Sequence, residues 1–371
     1  MPEFAPIPVS EYPRPGLEND PFLYPGARPL QSFLTDGETV YRLSDGADGD
    51  STSLHTEAGS GTLDDYLRDR QLPTLGQRIP VLAYGSNLCP GVLAGKFGKG
   101  GPDRADLLTV PTLYAGLRGY DVVWSGGPAR KGNFVAALYR GAETEATTVS
   151  VGINFLTPQQ LLLMHSTELT YELSSLGMEV AGEHQVAYYY AGRDSVFLAD
   201  GAPVAVADVN ADGRALEALP AREMTERMLA FEGVGRYLRE TFPTLGDDVL
   251  DADRYIDLIR SLRPQTKGHQ PRLELKNAVG KILQEMGLTG AVDTADDGDP
   301  VTYSWANPST LATYDQLRRG VRHSDVYRLP SMELPLDDWG GQKNARHAIL
   351  KAVGTHFRRL SGLKEVDEVT V

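Results

Sequence analysis

Hydrophobic positions along the chain follow two regimes. Between about residues 79 and 200 they come in short runs rich in Val, Thr and aromatic residues, set apart by Gly-rich stretches. Such runs are the mark of strands, and strands are predicted over 79–84, 109–123, 133–139, 148–155 and 185–190. One helix interrupts them. Thr157-Pro158-Gln159-Gln160 has the form of a capping box, with Thr157 as N-cap, Pro158 at the first helical position and Gln160 at the third. Leu161, Leu162, Leu163 and Met164 follow, and four consecutive apolar residues predict a helix buried over much of its circumference. Past about residue 215 the spacing turns helical. Helices are predicted over 221–240, 252–262, 272–286, 309–319 and 342–360, with Met224, Met228, Leu229 and Phe231 as a core-facing stripe.

Before residue 79 the pattern is weak. Residues 1–30 contain eight prolines, which remove backbone donors and fix φ. They predict an extended, irregular segment, either lying across another surface or mobile. Residues 44–61 are small and polar and read as a linker, and 62–67 as a short helix. The expected organisation is a proline-rich and polar N-terminal extension (1–78), a β-rich domain (79–215) and a mainly helical C-terminal region (216–371), an α+β chain.

Composition narrows the classes. Of 371 residues 41% are hydrophobic and 23% charged, ordinary for a folded protein. The formal charge of -14 leaves no excess of Lys and Arg to displace counterions from nucleic acid. The clusters Lys96, Lys99, Arg104 and Arg358, Arg359, Lys364 read as solvated surface, so no nucleic-acid partner is expected. The single cysteine, Cys89, rules out an intramolecular disulfide and a cysteine-rich zinc site. Seven scattered histidines show no ligand spacing, so no metal or cofactor is expected. No run approaches the roughly 18 apolar residues of a membrane helix. The start lacks the basic-then-apolar pattern of a secretory signal. The expected home is the cytoplasm, with no membrane partner.

Candidate chemistry first shows at Tyr84-Gly85-Ser86-Asn87-Leu88. An apolar strand that stops at a glycine just before a helix exposes backbone N–H groups beside the positive end of that helix, which suits a carboxylate. Read from these residues alone, an ordinary capped strand-to-helix turn fits equally well.

The YGSNL run after an apolar strand resembles the signature loop of the γ-glutamylcyclotransferase-like superfamily. LYAGLRGYDVV at 113–123, NFVAAL at 133–138 and VSVGINFL at 149–156 are similar, in order and spacing, to the strands that follow in that family. The helix from Pro158 then reaches Glu168 in Thr167-Glu168-Leu169-Thr170-Tyr171. The family carries its essential glutamate at the end of this element, and Glu172 is the alternative for that position. The resemblance covers about residues 79–200. It departs from many members at His165, where they carry aspartate three residues before the glutamate, and at Leu169, where they carry glycine.

The resemblance implies a small mixed β-barrel with flanking helices, extended here by the helical C-terminal region. It also implies a metal-independent intramolecular acyl transfer, in which a γ-glutamyl amide cyclises to 5-oxoproline and releases an amine or amino acid. Tyr84, Gly85, Ser86, Asn87 and Leu88 would bind the substrate and Glu168 would move the protons. Backbone N–H groups suit a carboxylate and an oxyanion, and a partly desolvated carboxyl suits accepting and then returning a proton near neutral pH. The alternative is a non-catalytic ligand-binding or protein-interaction module on the same fold.

Neighbouring residues invite other readings. Cys89 adjoins the loop, but no base is placed beside it, and packing is its expected role. Residues 91–97 (GVLAGKF) are one residue short of a phosphate loop and carry Phe97 where Ser or Thr would hold magnesium. Arg130 and Lys131 read as surface-loop charges with a lesser prospect of meeting a carboxylate across the barrel. His165 either tunes Glu168 or ends its helix.

Overall fold

The computed structural model describes residues 6–45, 52–56, 59–98, 105–165, 167–168, 171–180, 183–192, 195–262, 270–291 and 301–305. Strands β1 (Phe33–Asp36), β2 (Thr39–Asp45), β3 (Thr52–Thr56) and β4 (Gly59–Thr62) lead into helix α1 (Leu63–Asp69). Next come β5 (Ile79–Ala83), α2 (Pro90–Phe97), α3 (Ala105–Leu108), β6 (Thr109–Arg118), β7 (Asp121–Trp124), β8 (Ala136–Tyr139) and β9 (Thr148–Leu156). Helix α4 (Pro158–His165) precedes β10 (Tyr171–Val180), β11 (Glu183–Gly192) and β12 (Val196–Ala199). Helices α5 (Ala221–Ala230), α6 (Glu232–Thr241), α7 (Ala252–Ser261) and α8 (Pro271–Glu285) follow, with β13 (Val301–Trp305) after them.

The result is a mixed α+β structure around a curled, mainly antiparallel sheet. Strand β9 pairs antiparallel with β5 on one side and β6 on the other. From β5 the pairing runs to β11 (parallel), then β10, β13 and back to β6. The free length of β6 takes β1, which carries β2 and the β3–β4 hairpin. Alternation sets the two faces. Leu113, Ala115 and Leu117 of β6 and Val149, Val151, Ile153 and Phe155 of β9 enter the main core. That core continues without a break through Trp124, Phe134 and Phe197 into Met224 and Met228 of α5 and Tyr255 of α7. The stripe expected at Met224, Met228 and Leu229 is buried there, and the Phe231 ring lies 6.0 Å from that of Phe197.

The opposite face of the sheet holds the site. Val81, Val110 and Leu156 pack there against Leu93 and Phe97 of α2 and Leu161 and Met164 of α4. Each such fully buried side chain contributes about 1.5–3 kcal/mol, enough together to fix α2 beside α4. The expected capping box forms: Gln160 N donates to Thr157 Oγ1 at 3.2 Å and Thr157 N to Gln160 Oε1 at 2.8 Å. Buried Arg78 ties this cap to the sheet, donating to Pro73 O (2.9 Å), Thr109 O (3.0 Å), Phe155 O (3.3 Å) and Gln160 Oε1 (3.3 Å).

Several expectations change. Within 44–61, read as a linker, Thr52–Thr56 and Gly59–Thr62 pair as a hairpin, so the threonines follow their strand tendency once β2 offers an edge. The run 109–123 splits at Gly119, whose φ of 79° turns the chain between β6 and β7. The helix expected over 221–240 breaks at Phe231, which is extended (φ -70°, ψ 126°) between α5 and α6. The proline-rich segment lies across α2: a Cβ added at Gly91 would sit 2.1 Å from Tyr12 O. The helices expected at 309–319 and 342–360 lie outside the described residues, as do Lys99, Arg104 and the cluster Arg358, Arg359, Lys364. Among the described residues no helix is long and apolar enough to cross a membrane.

Candidate functional site

The chain leaves β5 at Ala83, makes a short 3-10 turn over Ser86–Leu88, and enters α2 at Pro90. Tyr84 and Leu88, at either end of the loop, are buried, whereas Gly85, Ser86 and Asn87 are half-buried. Leu88 is seated over Gly152 of β9, where a Cβ would lie 2.3 Å from Leu88 Cδ2. Asn154, one pleat along, donates its Nδ2 to Asn87 O at 3.0 Å and accepts from Thr112 Oγ1 at 2.8 Å. The sheet therefore holds the loop backbone from below. Leu88 N donates to Gly85 O and Cys89 N to Ser86 O. The N–H groups of Gly85, Ser86 and Asn87 have no acceptor among the described residues.

Glu168, just past the end of α4, comes to this loop. Its Oε1 accepts from Asn87 Nδ2 at 3.3 Å and from Lys96 Nζ in a close ion pair. The Glu168 and Lys96 side chains are only 11% and 12% exposed, so water screens the pair weakly. Oε2 has no partner among the described residues, and neither does the buried Oδ1 of Asn87. Lys96 was read from the sequence as solvated surface, and here it is a half-buried partner of Glu168. The available signal was its place on α2 between the buried Leu93 and Phe97, three residues after one and one before the other. Glu172 lies instead within β10, opposite Ala191 of β11. His165 is the last residue of α4.

Tyr84 points into the core. Burial pushes its phenol well above the ordinary value, helped by Tyr24, Glu168 and Tyr189 and opposed by the Leu138 backbone. The Tyr24 hydroxyl accepts from Ala136 N at 2.7 Å and stands 3.1 Å from where a Cβ on Gly85 would be. A side chain at Gly85 would therefore press on the Tyr24 hydroxyl and, at 3.2 Å, on Ala136 Cβ. Cys89 is fully buried, with Sγ 3.6 Å from Tyr12 O and 3.8 Å from Pro13 O. Burial pushes the thiol up despite the opposing backbones of Val92 and Gly91 and the charge of Arg28, which matches packing and not a nucleophile. Arg130 is exposed and donates to Gln270 Oε1 at 2.7 Å, away from any carboxylate of the site. Among the described residues no three His, Cys, Asp or Glu side chains are grouped to hold a metal ion.

The arrangement offers donors without acceptors, a shielded carboxylate with one free oxygen, and a lysine fixing that carboxylate's other oxygen. Comparison with models of known protein families, with characterised proteins and with solved structures found no match for this chain.

Proposed function

We propose that this is an enzyme of the γ-glutamylcyclotransferase type, built on that family's barrel, which cyclises a γ-glutamyl amide to 5-oxoproline and releases an amine or amino acid. The observation that carries the reading is the meeting of Glu168 with Asn87 of the YGSNL loop, across 81 residues of chain. The N–H groups of Gly85, Ser86 and Asn87 would take the substrate's α-carboxylate and the oxyanion. Glu168, through Oε2, would accept a proton from the α-ammonium, freeing the amine to attack the γ-carbonyl. The C–N bond to the leaving group then breaks as Glu168 returns that proton to the departing nitrogen, and the second proton shed by the new ring nitrogen follows the same route, so that the amine leaves as its ammonium. Both reacting groups belong to one molecule, so holding its folded conformer supplies much of the acceleration.

One observation favours a second reading, a binding module on the same fold. Lys96 already engages the Glu168 carboxylate, as an ion pair kept for structure would. The test is 5-oxoproline release from a panel of γ-glutamyl compounds by the wild type and Glu168→Gln. Product from the wild type alone, with both proteins giving the same circular dichroism, supports the enzyme. Equal activity in the variant removes Glu168 from the mechanism. Binding of a γ-glutamyl compound without product supports the module.

A further inference from the structure

Arg28 lies outside the span that resembles the family, in the loop that covers the site. Its Nη1 and Nη2 are both buried, and neither has a hydrogen-bond partner among the described residues. A guanidinium withdrawn from water without acceptors is costly, and burial accordingly lowers its pKa. The groups whose charges act on it are Tyr24, Tyr114, Cys89 and Asp208. Asp208, the acid among them, makes no ion pair or hydrogen bond with it.

The position of Arg28 follows from its own loop. Tyr24 stands against Gly85 at one end of the YGSNL turn, and Gly26 packs on Cys89 at the other, where a Cβ would be 2.9 Å from Sγ. Gly26 has φ of 95°, so it has both the space and the backbone freedom this crossing needs. Two residues later comes Arg28, whose charge acts on Cys89, the residue preceding α2. Tyr114, whose charge also acts on Arg28, belongs to the sheet, where it pairs with Gly152, the glycine beneath Leu88.

We infer that Arg28 is a binding residue for a carboxylate of the ligand, held by the fork of its two Nη atoms. This rests on the cyclotransferase reading for its substrate: a γ-glutamyl amino acid or peptide, whose leaving group carries its own carboxylate, and not a γ-glutamyl amine. A planar acceptor matches a guanidinium fork in two parallel bonds. One cation faced by Asp208 suits a single negative charge better than a phosphate dianion.

The experiment has two arms, each run on wild type, Arg28→Gln and Arg28→Lys. In the first, thermal melting is followed with sodium N-acetylglycinate, with inorganic phosphate and with sodium chloride at equal ionic strength. The carboxylate is expected to raise the wild-type Tm and leave Arg28→Gln unchanged, with Arg28→Lys between them. Without ligand, Arg28→Gln should melt no lower than wild type, because it removes an unpaired buried charge. No carboxylate shift in wild type, an equal shift in Arg28→Gln, or an equal effect of phosphate overturns the assignment.

In the second arm, γ-glutamylglycine and γ-glutamyl methylamide are titrated by calorimetry. Wild type should bind the first at least tenfold more tightly, and Arg28→Gln should lose that preference while keeping its affinity for the methylamide. A preference that survives in Arg28→Gln overturns the inference. If N-acetylglycinate acts through Arg28 but neither γ-glutamyl compound binds, the carboxylate site stands and the cyclotransferase reading falls.

Discussion

Lys96 Nζ donates to the same oxygen of Glu168 that accepts from Asn87, which leaves the second oxygen of the carboxylate without a donor among the described residues. The contact joins α2 to the end of α4 on the outer face of the sheet. Breaking a shielded pair strands one charge, at a cost of about 3 kcal/mol. Lys96→Met should therefore lower stability by about that amount in urea unfolding. The double variant Lys96→Met/Glu168→Gln should lose clearly less than the sum of the two single losses. Additive losses below about 0.5 kcal/mol each would mean that the pair is no more than a surface contact.

The N-terminal segment owes its place on α2 to two glycines. A methyl group at Gly91 would meet Tyr12 O at 2.1 Å, and one at Gly95 would meet Arg14 Nη1 at 3.0 Å. The first neighbour is backbone and cannot swing aside. Gly91→Ala should cost about 1–3 kcal/mol and expose the segment before Arg28 to limited proteolysis. Gly280, in α8, is the control, since a Cβ there meets nothing within 4 Å. Gly280→Ala should stabilise by about 0.5–1 kcal/mol through helix propensity. Equal melting temperatures for the two variants would refute this account of the docking.

Much of this site was legible locally. The strand ending before Gly85, the proline opening α2 and the Thr157–Gln160 cap are short-range patterns, and each forms where the sequence put it. What was not legible is long-range. Lys96 and Glu168 are 72 residues apart, and no periodicity in α2 says that its lysine will meet the end of α4. Arg78 and Arg28 sit in loops, where arginine ordinarily reads as surface, and only the assembled fold buries Arg78 and the Nη atoms of Arg28. The hairpin within 44–61 likewise depends on the edge of β2 and not on its own polar composition.

Alkaline pH should destabilise the fold in a defined order. Burial raises the phenols of Tyr84 and Tyr255, and it raises Tyr66 together with its hydrogen bond to Asp36. An acid whose folded pKa lies above its unfolded one holds more protons when folded. Stability is then fully present below the unfolded value of 10.0 and falls as pH rises beyond it. Arg78 and Arg28 work the other way: burial lowers both below the ordinary guanidinium range, Arg78 to about 10, so their unfavourable contribution is relieved as pH rises beyond the lowered value. Two arginines against these phenols, with Tyr12 raised by burial as well, leave a net loss. In a spectrophotometric titration the last tyrosines should ionise only as the circular dichroism of the fold collapses. Complete ionisation near pH 10 with native dichroism would contradict the burial of these phenols.

Arg78 provides a last test, because it couples the sheet to the position of Glu168. Its guanidinium gathers the carbonyls at the start of β6 and near the end of β9, together with the Gln160 side chain that caps α4. Gln160 Nε2 repeats the link by donating to Leu107 O at 2.9 Å and Thr109 O at 3.0 Å. Arg78→Met would leave buried carbonyls short of donors, each worth about 1–3 kcal/mol, and would free the first turn of α4. The expected result is a loss of about 3 kcal/mol in urea unfolding, with faster amide exchange at Thr157 and Gln160. Arg78→Lys should recover little of this, since an ammonium cannot reach carbonyls on two strands and an amide at once. If the helix start exchanges at the wild-type rate in Arg78→Met, the cap holds without the arginine, and α4 owes its position to Leu161 and Met164 alone.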